Sequence, residues 1–300
     1  MAALVAIYGA GAFGRALAAA IPAPTRLVGR RAGEGVETNL ARGFEGAGWI
    51  VLAVPAQATR AALAAIAPAL PARAPLILAA KGIERGTGAL QHEIAAAAAP
   101  GRAAMALTGP SFAADLTAGL PTALTLAAED EAAGRAAQER IAGSALRPYL
   151  TDDLIGAEMG GALKNVIAVA CGAAVGAGLG ESARAALMTR GFAEITRMAV
   201  ARGGRAETLA GLSGLGDLAL TCASPTSRNF AYGLSLSRGE PPPEGVTTEG
   251  RETAGAAAAL ARSLGVDAPV IAAVAALAAG ETDVAGAMAA LLARPLRSEG

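Results

Sequence analysis

The sequence predicts an α/β fold, in which a doubly wound sheet forms the N-terminal half and helices alone form the C-terminal half. Up to about residue 151, short apolar runs typical of buried strands alternate with alanine-rich helical segments. A glycine-rich turn directly follows the first of these runs. Beyond residue 152 the strand patterns stop, and helix formers dominate to the end of the chain. We therefore expect two domains, residues 1–151 and residues 152–300.

The first apolar run, residues 4–8, leads directly into a Gly-x-Gly-x-x-Gly turn at Gly9, Gly11 and Gly14. A helical segment follows, so the turn stands in the strand-turn-helix context of a Rossmann-type dinucleotide-binding site. There the first glycine permits the tight turn, the second lets backbone amides approach a pyrophosphate, and the third permits close packing of helix on strand. The alternative is a purely structural glycine turn. We predict that residues 1–151 bind a dinucleotide.

The second strand is predicted at residues 26–29 and ends in Arg30 and Arg31. NAD-selective sites usually carry an acidic residue at the end of this strand for the ribose hydroxyls, whereas an arginine suits the 2′-phosphate of NADP. We therefore predict a preference for NADP(H), with NAD(H) possible. The alternative is that both arginines only solvate a surface turn. Between Arg31 and Gly48 the sequence predicts no secure element.

Lys81 is predicted to follow a buried strand, residues 76–80, at the edge where open parallel sheets bind ligands. A turn at residues 108–113 follows another strand at the same edge. The remaining strands are predicted at residues 49–54, 103–107, 122–127 and 146–150, and the helices at residues 63–70, 88–99 and 131–142.

The C-terminal half is predicted to be a set of helices separated by glycine or proline. The breaks are predicted at residues 178–180, 203–204, 211–216, 241–243 and 280. A helical domain after a dinucleotide-binding domain implies a cleft between the two for a small-molecule substrate.

Lys164 is the strongest candidate for a catalytic residue. The chain contains two lysines, Lys81 and Lys164, and its other 23 basic residues are arginine. Lysine can give up its proton at working pH, whereas arginine cannot. Lys164 stands in an apolar helical segment, where burial lowers a lysine's pKa into the range useful for acid/base chemistry. The alternative is that two lysines survived compositional drift.

Asp217 follows the glycine-rich stretch at residues 211–216, which we interpret as a mobile loop. Its carboxylate is predicted to pair with Lys164 and orient it, and the alternative is a turn or helix-capping aspartate. The stretch from Thr221 to Asn229 is predicted to be the entry to a helix that runs to about residue 238. Hydroxyls, Arg228 and Asn229 at a helix N-terminus are the components of an oxyanion or phosphate site.

Composition excludes several other classes of function. The formal net charge is zero and aromatic residues make up 3% of the chain, which argues against a nucleic-acid surface. Cys171 and Cys222 stand in apolar contexts without a CxxC pattern, so we interpret them as reduced, buried thiols of a cytoplasmic protein. His92, the single histidine, is interpreted as a surface or hydrogen-bonded residue, and no metal site can be assembled. No membrane span is predicted, because charged or polar residues such as Lys164 break the apolar runs before about 18 residues, and no signal peptide is predicted.

Several motifs together resemble the bacterial NAD(P)-dependent glycerol-3-phosphate dehydrogenase family. In chain order they are GAGAFG, KGIE at residues 81–84, TGPSFA at residues 108–113, GGALKNVIAVACGAA, GLSGLGDLALTC and SRN. The resemblance implies a 6-phosphogluconate-dehydrogenase-like fold. It also implies reversible reduction of dihydroxyacetone phosphate to sn-glycerol 3-phosphate for glycerophospholipid synthesis.

The resemblance implies a role for each matching position. Lys164 is similar to the family's acid/base lysine, with Asp217 beside it. Cofactor contacts are implied at Gly9, Gly11, Ala12, Phe13, Gly14, Arg30, Lys81, Ala113, Arg228, Thr247 and Glu249. Substrate contacts are implied at Lys81, Gly109, Ser111, Lys164, Asp217, Ser227, Arg228 and Asn229. The chain departs from the family pattern at Thr247, which replaces valine, and the segments after Arg31 and after Gly239 look shortened.

Two other functions compete with this interpretation. A β-hydroxyacid or 6-phosphogluconate-type dehydrogenase shares the two-domain plan, but its asparagine usually lies a turn beyond the lysine, whereas Asn165 is adjacent to Lys164. A non-catalytic, NADP-sensing module would keep the glycine turn without needing Lys164, Asp217 and Arg228 together. The alanine-rich C-terminal helices are either core or the surface of a possible homodimer.

Overall fold

An eight-stranded sheet forms the N-terminal half of the protein. The structure is a computed structural model that describes residues 3–240 and 247–295, so the predicted break at residues 241–243 lies outside the described residues. The strands are β1 (Leu4–Tyr8), β2 (Thr25–Val28), β3 (Val36–Glu37), β4 (Ala47–Leu52), β5 (Leu76–Leu78), β6 (Ala104–Thr108), β7 (Thr122–Ala127) and β8 (Leu146–Thr151). The helices between them are α1 (Ala12–Ala20), α2 (Leu40–Phe44), α3 (Thr59–Ile66), α4 (Gln91–Ala98), α5 (Ala113–Thr117) and α6 (Glu131–Ile141).

The strand order is β3-β2-β1-β4-β5-β6-β7-β8. Neighbouring strands are parallel except that β7 runs antiparallel to β6, which the sequence did not predict. The chain order reverses between β1 and β4, and this topological switch point is where open α/β sheets bind ligands. The prediction of a doubly wound α/β fold is confirmed.

Helices cover both faces of the sheet, and the side chains of β1 show this arrangement. They alternate between two apolar cores, because successive residues of a strand point to opposite faces. Val5 and Ile7 belong to the core that includes residues of α1 and α6, whereas Ala6 and Tyr8 belong to the core that includes residues of α3 and α4. A strand buried on both faces is therefore continuously apolar, as this one is in the sequence.

The expectation that no secure element lies between Arg31 and Gly48 is wrong. That segment contains β3, α2 and the start of β4. Asn39 caps α2 by accepting a hydrogen bond from the backbone N–H of Arg42 at 3.1 Å. Elements of two and five residues are too short to show a periodic pattern, so the sequence signal was absent.

Two further boundaries differ from the prediction. The helix expected at residues 63–70 begins four residues earlier, at Thr59, and ends at Ile66. A 3₁₀ turn with Pro68 near its start then follows, since proline lacks the N–H that would continue the α-helix. The turn predicted at residues 108–113 leads into the short helix α5, which was not predicted.

Helices alone form the C-terminal half of the described chain, as predicted. They are α7 (Leu154–Gly176), α8 (Gly180–Arg202), α9 (Ala206–Leu209), α10 (Asp217–Cys222), α11 (Arg228–Ser237), α12 (Glu249–Ser263), α13 (Pro269–Ala279) and α14 (Val284–Leu292). The central helix is α7, which is buried along most of its length and packs against α8, α10, α11 and α12.

Close packing around α7 depends on glycine. A Cβ at Gly172 would overlap the backbone carbonyl of Phe230, and a Cβ at Gly233 would overlap the carbonyl of Val169. The helices α7 and α11 therefore cross with their backbones in contact. Among residues 3–240 and 247–295, α7 is also the one helix that is long and apolar enough by composition to cross a membrane, and 89% of its most apolar window is buried inside the protein.

The prediction of a mobile loop at residues 211–216 is wrong. Leu212–Gly216 forms a π-helical turn that continues directly into α10. A Cβ at Gly214 would overlap the backbone of Leu209, so this glycine serves close packing rather than mobility. Asp217 consequently lies in the first turn of a buried helix.

Replacing Gly172 with alanine is expected to lower the free energy of unfolding by about 1–3 kcal/mol, because the added methyl group would overlap the carbonyl of Phe230. Gly255→Ala is the matched control, since Gly255 also lies inside a helix but has open space where the methyl group would go. The control is expected to raise the free energy of unfolding by about 0.5–1 kcal/mol. Urea unfolding followed by circular dichroism measures both, and equal effects would contradict the backbone contact between α7 and α11.

Candidate active site

A cleft of about 560 Å³ lies beside the switch point of the sheet and is lined by residues from both halves of the chain. The sheet half contributes the start of α1 and the segments after β4, β5 and β6, and the helical half contributes α7, α10, α11 and the start of α12. Of the predicted site residues, those that line the cleft are Gly11, Ala12, Phe13, Lys81, Ser111, Ala113, Lys164, Asp217, Ser227, Arg228, Asn229, Thr247 and Glu249. Gly9, Gly14, Arg30 and Gly109 lie outside this lining.

Asp217 lies between the two lysines of the chain. Lys164 Nζ donates a hydrogen bond to its Oδ1 at 2.8 Å, and Lys81 Nζ donates to its Oδ2 at 2.7 Å. Asp217 is 1% exposed and Lys164 is 7% exposed, so the bond between them is shielded from water. The structure therefore brings Asp217 to Lys164 as predicted, and it adds Lys81 as a second partner.

The electrostatics of this cluster follow from burial and proximity. Burial lowers the pKa of Lys164 to about 8, and the charge of Lys81 acts in the same direction, while Asp217 opposes both. Burial would raise the pKa of Asp217, but Lys164 and Lys81 hold that pKa below its ordinary value. The cluster is thus an ionised carboxylate beside an amine that gains and loses its proton near neutral pH.

Thr221 completes the surroundings of the amine. Lys164 Nζ donates to Thr221 Oγ1 at 2.6 Å, and Thr221 lies four residues after Asp217 on α10. The sequence prediction assigned Thr221 to the segment that leads into the next helix and missed this contact. Residues four positions apart lie on the same face of a helix. The spacing of Asp217 and Thr221 would therefore have predicted this contact if residues 217–222 had been predicted to be helical.

Lys81 is held by the turn after β6 as well as by Asp217. Its Nζ donates to the carbonyl of Gly109 at 2.7 Å. Gly109 has a φ of +133°, a conformation that favours glycine, and Ser111 Oγ donates to the same carbonyl at 3.3 Å. Gly109 and Ser111, the predicted site residues of this turn, therefore act on Lys81 through the backbone carbonyl of Gly109.

A chain of side-chain amides connects four elements around the cleft. Asn165 Nδ2 donates to the carbonyl of Lys81 at 3.3 Å. Asn229 Nδ2 donates to Asn165 Oδ1 at 2.7 Å, and the backbone N–H of Gly250 donates to Asn229 Oδ1 at 2.8 Å. The amides link the loop after β5, α7, α11 and α12, and Asn165 was not among the predicted site residues.

The start of α11 carries the predicted anion-binding residues. Ser227 caps this helix by accepting a hydrogen bond from the N–H of Phe230 at 3.3 Å, and Arg228 is its exposed first residue. The helix begins at Arg228, so the structure places Arg228 and Asn229 at a helix N-terminus as predicted, although the first residues of the predicted entry, Thr221 and Cys222, belong to α10. The helix N-terminus and the guanidinium both face a cleft open to solvent, where they can bind a phosphate.

The glycine turn fits the phosphates of a dinucleotide. Gly9 has a φ of +113°, and a Cβ at Gly14 would overlap the carbonyl of Gly9, so both glycines are required by the turn itself. Gly11 has open space where a Cβ would lie, and it precedes α1 without a side chain to bind the helix's free N–H groups. Those donors remain available to an anion in the cleft.

Glu249 at the start of α12 reaches across to the sheet half. Its Oε1 accepts a hydrogen bond from the N–H of Ala56 at 3.1 Å. Its Oε2 is buried without a hydrogen-bond partner among the described residues, and burial raises the pKa of the carboxyl. Thr247, two residues earlier, also lines the cleft.

Arg30 lies at the end of β2 and is exposed to solvent. The structure does not bring it into the lining of the cleft, although the adjacent Gly29 lies against Ala10 of the glycine turn. Within residues 3–240 and 247–295, no group of three or more His, Cys, Asp or Glu side chains is placed to hold a metal ion.

Comparison with known proteins identifies the family. A family model described as "NAD-dependent glycerol-3-phosphate dehydrogenase N-terminus" matches residues 35–134, and one described as the C-terminus of the same enzyme matches residues 153–289. A Cereibacter sphaeroides protein named "Glycerol-3-phosphate dehydrogenase [NAD(P)+]" is 51% identical over 99% of this chain and 100% of its own length. A protein of the same name from Caulobacter vibrioides is 54% identical over 83% of this chain and 77% of its own.

A solved structure has the same architecture. The crystal structure of glycerol-3-phosphate dehydrogenase from Coxiella burnetii superimposes with a TM-score of 0.91 at 32% identity, covering 97% of this chain and 99% of that one. The resemblance found in the motifs is thereby confirmed. This chain belongs to the NAD-dependent glycerol-3-phosphate dehydrogenase family.

Proposed function

We propose that the protein catalyses the reversible, NAD(P)H-dependent reduction of dihydroxyacetone phosphate to sn-glycerol 3-phosphate, with Lys164 as the acid/base. The observation that carries this proposal is the buried Lys164–Asp217–Lys81 cluster in a cleft that also contains a dinucleotide-type glycine turn and an anion-binding helix terminus. Reduction of a phosphorylated ketone requires a phosphate site, a proton donor at the carbonyl oxygen and a hydride source.

Lys164 is proposed to transfer the proton. In reduction, its ammonium donates a proton to the carbonyl oxygen as that oxygen gains negative charge, and the amine is left neutral. In oxidation, the neutral amine removes the hydroxyl proton of glycerol 3-phosphate. A pKa of about 8 leaves both forms accessible near neutral pH, which reversible acid/base chemistry requires.

Asp217 and Thr221 are proposed to orient Lys164. The carboxylate and the hydroxyl accept two of the three N–H groups of the ammonium, and among the described residues the third has no partner, so it would be available to the substrate oxygen. Lys81 is proposed to contact substrate and cofactor from the opposite side of the cleft. Its charge lowers the pKa of Lys164, so Lys81 also tunes the proton donor.

The phosphate of the substrate is proposed to bind at the start of α11. The guanidinium of Arg228 can donate two parallel, charge-assisted hydrogen bonds to the phosphate, and the free N–H groups of the helix terminus supply backbone donors. Ser227 and Asn229 flank Arg228 on the cleft. Gly109 and Ser111, which hold the Lys81 side, are proposed to complete the substrate site.

The cofactor is proposed to bind at Gly9, Gly11, Ala12, Phe13, Gly14, Arg30, Lys81, Ala113, Arg228, Thr247 and Glu249. The free donors at the start of α1 would hold its pyrophosphate, and the unpartnered oxygen of Glu249 would bind a polar group of the cofactor. A bound NAD(P)H supplies the hydride. Residues 1–151 are the proposed dinucleotide-binding domain, and residues 152–300 the proposed substrate-binding domain.

Two observations disfavour the alternative functions, a β-hydroxyacid or 6-phosphogluconate-type dehydrogenase and a non-catalytic sensing module. Curated relatives at about half identity carry the glycerol-3-phosphate dehydrogenase name, which disfavours the β-hydroxyacid type. A non-catalytic sensing module has no use for a buried amine with a lowered pKa. A cytoplasmic location and a possible homodimer stay predictions from the sequence.

Lys164→Arg is expected to lower kcat by about 10²–10⁴-fold, because a guanidinium does not exchange its proton at working pH. The fold and the affinity for NADPH are expected to remain. Oxidation of NADPH on addition of dihydroxyacetone phosphate, followed at 340 nm, measures turnover, and fluorescence titration measures binding. Near-normal turnover would remove Lys164 from the mechanism, and an inactive parent enzyme would reject the proposed function.

Arg30→Asp is expected to shift cofactor preference towards NADH, because the change replaces a partner for the 2′-phosphate with an acceptor for ribose hydroxyls. The measurement is the ratio of kcat/KM for NADPH and NADH before and after the substitution. Arg31→Asp is the neighbouring control with the same change of charge. An unchanged ratio in Arg30→Asp would contradict the predicted role of Arg30.

The two directions of the reaction are expected to depend oppositely on pH. Burial lowers the pKa of Lys164 to about 8. Reduction needs the protonated amine, so its kcat/KM is expected to fall as pH rises through about 8, whereas that of oxidation is expected to rise over the same range. Initial rates in both directions between pH 6 and about 10 test this. Parallel profiles in the two directions would argue against a single acid/base group.

A further inference from the structure

The first turn of α4 binds three different parts of the molecule through consecutive residues. Gln91, which is 1% exposed, donates from Nε2 to the carbonyl of Gly82 at 2.8 Å, directly after Lys81. The hydroxyl of Thr59 donates to Gln91 Oε1 at 2.6 Å and fixes the amide. The loop that carries Lys81 is therefore held by α4.

The next residue, His92, is held by a buried carboxylate of α7. Glu158 accepts a hydrogen bond from the backbone N–H of His92 at 3.0 Å through Oε1. Its Oε2 lies 2.7 Å from His92 Nδ1, and Nδ1 is the donor when Glu158 is ionised, because an ionised carboxylate only accepts. Glu158 is 6% exposed and precedes Lys164 by six residues on the same helix.

The surrounding charges complete the junction. Glu93, the third residue of the turn, pairs with Arg202 of α8 and accepts from the N–H of Leu90 at 2.8 Å. Glu93 and Glu129 are the further carboxylates near the His92 ring. The turn Gln91-His92-Glu93 thus joins the Lys81 loop to α7 and α8.

This junction connects the elements that carry the two lysines. Lys81 comes from the loop after β5, and Lys164 comes from α7, so their separation depends on how these elements are joined. Both reach the same carboxylate at 2.7–2.8 Å. We infer that His92 and Glu158 are positioning residues. They hold the Lys81 loop and α7 in the relative position that lets both lysines bind Asp217. This inference rests on the proposed function for its kinetic consequences.

Burial gives the pair a dependence on pH. Burial raises the pKa of Glu158, and the hydrogen bond from His92 and its charge oppose that rise. Burial works against a charged His92 ring, but the hydrogen bond to Glu158 and its charge, with those of Glu93 and Glu129, raise the pKa of His92 above its usual value. Without the ring, Glu158 would take up a proton at higher pH, and the neutral carboxyl would accept the backbone N–H of His92 more weakly.

The test compares His92→Leu, which removes the ring donor, with His92→Asn, whose amide nitrogen takes the place of Nδ1. His92→Leu is expected to lower kcat about 10–100-fold, the effect of a displacement near 1 Å. It is also expected to raise the pH below which kcat for reduction falls, which is the acidic limb of the profile, because Glu158 then takes up its proton at higher pH. His92→Asn is expected to recover most of the lost turnover. The affinity for NADPH is expected to stay within about twofold.

Glu194→Gln is the matched control for general destabilisation. Glu194 is a buried carboxylate that accepts from the N–H groups of Val270 and Ile271 at 2.9 and 3.1 Å, so it caps α13 away from the cleft. The control is expected to lower the melting temperature without changing kcat or the acidic limb. The inference is overturned if His92→Leu behaves like this control.

A crystal structure of His92→Leu tests the positioning without relying on activity. Lys81 Nζ is expected to lie farther than about 3.2 Å from Asp217. If both lysine bonds to Asp217 persist unchanged, the inference fails even where the parent enzyme is active. If the parent enzyme does not reduce dihydroxyacetone phosphate, the proposed function fails while this structure still decides the positioning.

Discussion

One buried carboxylate, that of Asp217, joins the two halves of the protein at the proposed active site. A lone buried carboxylate is costly, and two ammonium groups on opposite sides of it remove that cost. Lys81 comes from the sheet half and Lys164 from the helical half. Burial is the main reason that the pKa of Lys164 is lowered, and the charge of Lys81 on the other side of Asp217 lowers it further. The same cluster therefore joins the halves and adjusts the pKa of the proposed proton donor.

The glycines around α7 make this arrangement possible. A Cβ at Gly161 would overlap the hydroxyl of Thr108, and a Cβ at Gly160 would crowd the backbone of Ser213. The pair thus lets the sheet approach α7 on one side and the π-helical turn before α10 approach it on the other. A bulkier residue at Gly160 would push the π-helical turn and Asp217 away from α7, and one at Gly161 would push the sheet half, which carries Lys81, away from α7. The helix that carries the proposed acid/base amine is accordingly one of the most closely packed parts of the described chain.

The sequence predicted those features whose signal is local. The strand before Gly9, the glycine turn, the all-helical second half and the exceptional status of Lys164 follow from pattern and residue type. The pairing of Lys164 with Asp217 was also predicted, although the glycines before Asp217 were misinterpreted as a loop because π-helical turns have no composition of their own. The bond from Lys81 to Asp217 joins residues 136 positions apart, and no local pattern indicates such a contact. The roles of Thr221 and Asn165 became visible only once their helices were in place.

Titration of the two lysines in the free protein tests the central claim most directly. The chain contains only two lysines, so labelling lysine with ¹³C at Cε gives two assignable side-chain signals in an NMR spectrum. The account predicts that the Lys164 signal titrates near pH 8 and that Asp217→Asn shifts the signals of both lysines. A Lys164 signal that titrates near the ordinary value of 10.5, or a Lys81 signal that ignores the substitution, would contradict it.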